Sequence, residues 1–328
     1  MAPRKTQKSA SSLSVLPGAL LSLAGDASPS NPDVLRTLYS ALLKTRLLEE
    51  QVLSLLRAGR ISGHAVPVFG GEATEVGACI GLEPDDSFSS SQPKLATNVV
   101  CGTPLERIFA QLLRQNIEVS QTATYDAPPS FRFVPQTSSI NGQLDVATGI
   151  ALAYRNLGKP NVVVTLADDG LAALGFWHEA ASLASRNRLP LVVVVENQQH
   201  AHTDENGVLQ SDDDLRDRAE AYGFPGITVD GNDIVAVWRV TQESIHRART
   251  GAGPTLIECR TWRWHAEVGS SNGHARSNPA NAWQTDPLLH MEDYMKKRSL
   301  WNQTWKDGLV AAYREALKDA ITSVSPVA

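Results

Sequence analysis

Cysteine is scarce in this chain of 328 residues. The three present, Cys79, Cys101 and Cys259, are widely spaced and form no Cys-x-x-Cys pair. Neither a disulfide framework nor a cysteine zinc site is expected, and a reducing cytoplasm is the natural compartment. A basic excess is absent too: 30 Lys and Arg stand against 35 Asp and Glu, so the electrostatic footprint of a nucleic-acid binder is missing. No apolar stretch approaches the roughly 20 residues of a transmembrane helix; the run from Val15 to Leu23 is short and broken by Pro17. Internal repeats, a Gly-rich Walker loop and a dinucleotide fingerprint are likewise missing. What is there is a chain with 42% apolar residues and a net charge of -5, long enough for one large α/β sheet with a sizeable core.

Residues 1–30 are a different material. Arg4, Lys5 and Lys8 open the segment, Ser and Ala dominate it, and no acid precedes Asp26. It reads as a flexible N-terminal segment, with a transit peptide as the second reading. Residues 31–328 are expected to form a single α/β domain with a C-terminal helical extension. Asn31-Pro32-Asp33 predicts a capped helix that carries Leu35, Leu38, Leu42 and Leu43 and stops at Gly59.

One stretch organises the rest. Asn161 to Ala167 reads as an apolar strand, Asp168-Asp169-Gly170 as an acidic turn, and the residues through Trp177, His178 and Glu179 as an amphipathic helix. A second apolar strand, Leu189 to Val195, ends in Glu196-Asn197-Gln198-Gln199. Strand, helix and strand in that order make a right-handed parallel unit, so both loops open at one carboxyl edge. Ligands of open parallel sheets sit in that crevice, and a carboxylate meeting an amide oxygen there suits a hard divalent cation. Turn chemistry by itself also puts Asp, Asn and Gly at strand ends, so both readings stay open at this level. The expected fold class is α/β, a parallel sheet flanked by helices on both faces.

The run Ala167-Asp-Asp-Gly-Leu-Ala-Ala-Leu-Gly-Phe-Trp-His-Glu-Ala180, with Leu189-Pro-Leu-Val-Val-Val-Val-Glu-Asn-Gln198, resembles a known signature. It is the thiamine-diphosphate signature in the alpha subunit of 2-oxo acid dehydrogenases: Gly-Asp-Gly, a helix with His-Glu-Ala, a Leu-Pro-led strand, and Asn-Asn. Asp169 and Gly170 match its Asp and Gly, while Asp168 replaces the first Gly and Gln198 the second Asn, a Mg²⁺ ligand in the family. The resemblance implies a thiamine-diphosphate-binding fold. It also implies Mg²⁺ held by Asp169, Gln198 and the backbone carbonyl of His200, and a cofactor contacted by Asp169, Gly170, Leu171 and Asn197.

Further segments carry the same resemblance: Phe69-Gly-Gly-Glu-Ala73, Gly142 to Arg155, Val229-Asp-Gly-Asn-Asp233, Gly253 to Glu258, and Trp283 to Leu289. The Gly142–Arg155 helix is expected to pack through Val146, Ile150 and Ala153. Glu72 reads as a carboxylate satisfied by backbone N–H groups near a helix start, or as a functional acid. His64 stands two residues before Val66, where the family often has a substrate-facing His. Departures cluster at the diphosphate: the family's Tyr-Arg pair corresponds to Gln92 and Pro93, with Lys94 one step away, and Gln121 to Pro129 replace a Lys- and Gly-rich loop. Proline donates nothing, so Gln92 and Lys94 remain as the diphosphate contacts. His265 is the candidate equivalent of the family's loop histidine, which hydrogen-bonds or shuttles protons near the diphosphate.

The resemblance thus implies an oxidoreductase of the thiamine-diphosphate and Mg²⁺ class, the decarboxylating component of a 2-oxo acid dehydrogenase. An α2β2 heterotetramer with a beta subunit would deliver the acyl group to a lipoyl-bearing acyltransferase. The altered diphosphate and Mg²⁺ positions keep a second reading open, a non-catalytic alpha-like subunit acting as a structural or regulatory partner.

Overall fold

The computed structural model describes residues 31–61, 69–90, 94–113, 132–134, 142–170, 175–197, 215–262 and 286–324. In chain order these form α1 (Pro32–Arg57), α2 (Glu72–Cys79), β1 (Ser87–Ser90), α3 (Leu95–Cys101), α4 (Leu105–Leu112), β2 (Arg132–Phe133), α5 (Gly142–Asn156), β3 (Val163–Asp168), α6 (Gly175–Arg186), β4 (Leu191–Asn197), α7 (Leu215–Ala221), β5 (Gly226–Asp230), α8 (Ile234–Arg249), β6 (Thr255–Arg260), α9 (Pro287–Lys297) and α10 (Gln303–Val324). The strands make one sheet in the order β2-β1-β3-β4-β6-β5, every neighbouring pair parallel. All carboxyl ends therefore share one edge, as the strand-helix-strand pattern requires. The chain leaves β1 for the outer β2 and returns on the other side of β1 as β3, which makes β1/β3 a switch point where a crevice opens.

Alternation along the strands divides the core. Val164, Leu166, Val192, Val194, Ile257 and Cys259 face one cluster with residues of α1, α2 and α8. Val163, Ala167, Leu191, Val193, Val195 and Leu256 face another with α5, α6 and α7. Burial on both faces is why β4 reads as an unbroken run of valines. The three cysteines are reduced and buried, and burial pushes the Cys79 and Cys259 thiols above their ordinary range. No helix among the described residues is long and apolar enough to cross a membrane.

Local signals set the helix ends. The Asn31 side chain accepts from Asp33 N at 3.0 Å with Pro32 in the first turn, and Gly59 follows the helix at φ +68°. Helix α1 is buried far round its circumference, including Lys44, Thr45, Arg46 and Glu49, because other elements surround it. Tyr39 donates to Glu292 Oε1 at 2.9 Å and Lys306 Nζ reaches the same oxygen at 2.6 Å, tying α9 and α10 onto α1.

One element carries no pattern in the sequence, and another packs differently from expectation. Strand β1, Ser87-Phe88-Ser89-Ser90, has no apolar alternation, yet all four residues are buried. Two of its serines are satisfied by α5: Ser87 Oγ lies 2.7 Å from Tyr154 Oη, and Gln143 Nε2 donates to Ser89 Oγ at 2.7 Å. That demand rotates α5. It packs through Leu144, Ala147, Ala151 and Tyr154, whereas Val146 is 37% exposed and Ala153 is exposed. The expectation that Val146, Ile150 and Ala153 form the packing face is corrected at Val146 and Ala153, which the polar contacts to β1 turn outward, while partly buried Ile150 does pack against this cluster.

Candidate functional site

Strands β3 and β4 pair residue for residue to their ends, with Asp168 opposite Glu196. Asp169 and Asn197 are therefore the next residues along two neighbouring tips. The tip of β3 turns through Asp169 and Gly170, both partly buried, and α6 begins at Gly175 on the same edge. Among the described residues, no atom lies within 4 Å of where a Cβ on Gly170 or Gly175 would stand, so neither glycine fills a packed spot. The amino end of α6 turns its N–H groups and the positive pole of its dipole toward this edge.

Side chains at the β4 tip go to opposite faces. Glu196 is fully buried on the α2/α3 side and meets Lys94 Nζ at 3.1 Å, and the same ammonium lies 2.8 Å from Glu75 Oε1 of α2. Two carboxylates and one ammonium thus share a site where no side chain is more than 2% exposed. On the other face Asn197 Nδ2 donates to Glu258 Oε1 at 2.6 Å, and Thr228 Oγ1 donates to Glu258 Oε2 at 2.9 Å. The Asn197 carbonyl also accepts from Thr261 N at 3.0 Å, continuing the ladder to β6.

A second network borders the edge. Glu72 accepts from Gly70 N at 2.8 Å and from Arg46 Nε, and Arg46 Nη2 reaches Asp286 at 3.2 Å, the cap of α9. The backbone N–H reading of Glu72 is thus met, with a guanidinium added. Asn232 joins Gly70 O, at 2.5 Å, to Trp262 N, at 3.1 Å.

Of the expected site residues, Asp169, Gly170 and Asn197 come together at one edge. Lys94 lies below that edge in the core, committed to Glu75 and Glu196. Leu171, Gln92, Gln198, His200, His265 and also His64 lie outside the described residues. Among the described residues no group of three or more His, Cys, Asp and Glu is placed to hold a metal ion. Carboxylate and amide oxygens at the tips are donors of the kind Mg²⁺ takes, so the residues present fit that ion in chemistry. A Lys94 ammonium held by two carboxylates does not fit a role on a diphosphate. Glu75, Glu196 and Glu258 were not singled out in the sequence, although a signal exists: each is an acid within an otherwise buried run, and buried acids need partners.

A parallel six-stranded sheet covered on both faces, with polar tips converging at one carboxyl edge beside a helix start, makes this an α/β protein whose fold is consistent with the thiamine-diphosphate-binding type. The model of the family described as "Dehydrogenase E1 component" matches residues 39–326, and the chain belongs to that family of oxidoreductases acting on oxo-group donors. It is 29% identical over 288 residues to the pyruvate dehydrogenase E1 component subunit alpha of Staphylococcus aureus strain Mu50, covering 87% of this chain and 76% of that protein. A Staphylococcus epidermidis protein of the same name is 28% identical over the same shares.

Proposed function

We propose that this chain is the alpha subunit of a thiamine-diphosphate-dependent 2-oxo acid dehydrogenase, working with a beta subunit in an α2β2 assembly in the cytoplasm and passing its acyl product to a lipoyl-bearing acyltransferase. The observation that carries this reading is the in-register pairing of β3 and β4, which brings Asp169 and Asn197 to adjacent tips of one edge. Bound thiamine diphosphate supplies the nucleophilic carbon for decarboxylating a 2-oxo acid. Within this chain Asp169, Gln198 and the carbonyl of His200 would hold Mg²⁺. The α6 N-terminus would face the diphosphate charge, and His265 would hydrogen-bond it or move a proton. Residues 31–328 act as one domain.

One observation favours the alternative, a non-catalytic alpha-like subunit: Lys94, the cation nearest in sequence to the missing Tyr-Arg pair, is spent on Glu75 and Glu196. Each lost charge-assisted bond to a diphosphate removes about 1.5–3 kcal/mol, so several together raise the dissociation constant by orders of magnitude. Calorimetric titration of the αβ complex with thiamine diphosphate and Mg²⁺ separates the two. Saturable uptake is expected for the enzyme, and no heat at millimolar cofactor selects the non-catalytic subunit. Gln198→Asn and Pro93→Arg are expected to tighten binding; unchanged affinity in both would refute the correspondence of those positions.

A further inference from the structure

The amino edge of the sheet, opposite the tips that carry Asp169 and Asn197, gathers charge of one sign. Strands β3, β4 and β6 are neighbours there, and each is entered from a turn that follows a helix, α5 before β3, α6 before β4 and α8 before β6. Arg155 and Lys159 flank the first turn, Arg186 and Arg188 the second, and Arg247 the third, all five exposed. The turns adjoin. Arg155 Nη1 donates to Arg188 O at 3.3 Å, the Cα of Arg188 lies 3.5 Å from where a Cβ on Gly253 would stand, and Arg247 Nη2 donates to Ala252 O at 2.8 Å. Strand spacing sets the three entries over roughly 10 Å. None of the five cations forms an ion pair among the described residues.

Cations at helix C-termini ordinarily complement the helix dipole. Three such poles carry about -0.5 each, which offsets fewer than two of the five charges. The acids of this edge are spent elsewhere, Glu83 and Asp86 on Arg249 and Asp85 on Arg132. Glu220 near the end of α7 and Glu243, one turn before Arg247, form no ion pair with the five; even with both counted, the strip stays positive on a chain of net charge -5. We propose that this amino-edge strip docks a short acidic segment of a partner polypeptide. Size selects that partner over other polyanions. The screening length in physiological salt is about 8 Å, so the strip's field ends near its own margins, and beyond them a negative chain repels a nucleic acid or an anionic bilayer. An extended segment of about three to five residues spans the strip and sets carboxylates against guanidinium forks. The six residues of β3 put the strip about 20 Å from the cofactor edge, so docking here leaves that edge open and does not depend on the cofactor reading.

The test is the dissociation constant of a rhodamine-labelled hexaglutamate peptide for the full chain, read by fluorescence anisotropy in low salt and again in salt about tenfold higher. Binding that weakens about tenfold or more between the two is expected. The triple variant Arg155→Gln, Arg186→Gln and Arg188→Gln is expected to lose about ten- to a hundredfold, since each exposed ion pair contributes a factor of roughly two to five. Lys297→Gln, Arg314→Gln and Lys318→Gln together are the control: they remove three exposed cations from α9 and α10 and are expected to change affinity less than about threefold. No binding to the wild-type chain at millimolar peptide overturns the proposal, as does wild-type affinity in the first triple variant. An equal loss in the control would make the effect one of net charge and overturns it too. If the first triple variant does not fold, Lys159→Gln with Arg186→Gln takes its place, because neither side chain has a hydrogen bond among the described residues, and unchanged affinity there overturns the proposal. Hexathymidylate or phosphatidylserine vesicles bound more tightly than the peptide, and lost in the same variant, overturn the choice of a polypeptide.

Discussion

Replacing Lys94 by Met tests whether this ammonium serves the core or a bound phosphate. Its Nζ is 2.8 Å from Glu75 Oε1 and 3.1 Å from Glu196 Oε2, with Lys94 only 3% exposed and both acids fully buried. At an effective dielectric constant near 20, each contact carries roughly 5 kcal/mol of Coulomb attraction, most of it offset by the desolvation of the three groups. Methionine matches the length of the stem but leaves two buried carboxylates facing each other without their shared cation. Breaking a buried ion pair in this way costs about 3–5 kcal/mol, a large part of the roughly 5–15 kcal/mol that holds a domain folded. With a urea m-value near 3 kcal/mol/M, the unfolding midpoint is expected to fall by about 1–1.7 M. The measurement is urea unfolding followed by far-UV circular dichroism, beside a thiamine diphosphate titration of the same variant. A midpoint lowered by less than about 0.3 M, or weakened cofactor binding with stability unchanged, would show that Lys94 acts on a ligand and not on the core. Replacing Glu75 and Glu196 by Leu in the same background is expected to recover most of the loss, since a well-packed apolar set tolerates burial as well as a charged one does.

Lys44 of α1 is 3% exposed, 5.8 Å from the centre of the Tyr313 ring, and burial lowers its pKa from 10.5 to about 8. Between pH 8 and 10.5 the unfolded chain holds the proton that the folded chain releases, so the contribution of this group to stability rises with pH across that window and is lost as pH falls through 8. Lys44→Met is therefore expected to gain on the order of 2–3 kcal/mol at pH 7 and to flatten the rise; denaturant midpoints at pH 7, 9 and 10.5 check it, and a gain that grows with pH contradicts it. The Asp233 side chain caps α8 by accepting from Val235 N at 2.9 Å and Ala236 N at 3.1 Å. Asp233→Ala is expected to cost about 1 kcal/mol with no change in cofactor affinity, read from the same unfolding curves.

Much of the architecture is written in short-range patterns. The Asn31 and Asp233 caps, the apolar runs of β3 and β4, and the polar composition of their tips depend on residues two to four apart, so local chemistry is enough to place them. Strand β1 was not visible, because three serines in four residues carry no apolar alternation until Tyr154 and Gln143 arrive from α5 to pair with them. Strand β2, two residues long, offers no period at all. The site was half legible. Asp169 and Asn197 follow from strand order and parallel pairing, whereas Lys94 in a Pro-containing stretch reads as a loop cation and is in fact a core residue.

The sequence by itself determined the sheet's parallel class, the edge at which its tips gather and the oxygen-rich chemistry of those tips, because right-handed strand-helix-strand units leave the chain no other arrangement. Only the tertiary structure decided what each tip side chain does. Lys94 meets Glu196 across 102 positions of sequence and Asn197 meets Glu258 across 61. The energy of those contacts comes from removing charge from water, which happens only when the sheet closes under its helices and forces each buried acid to find a donor.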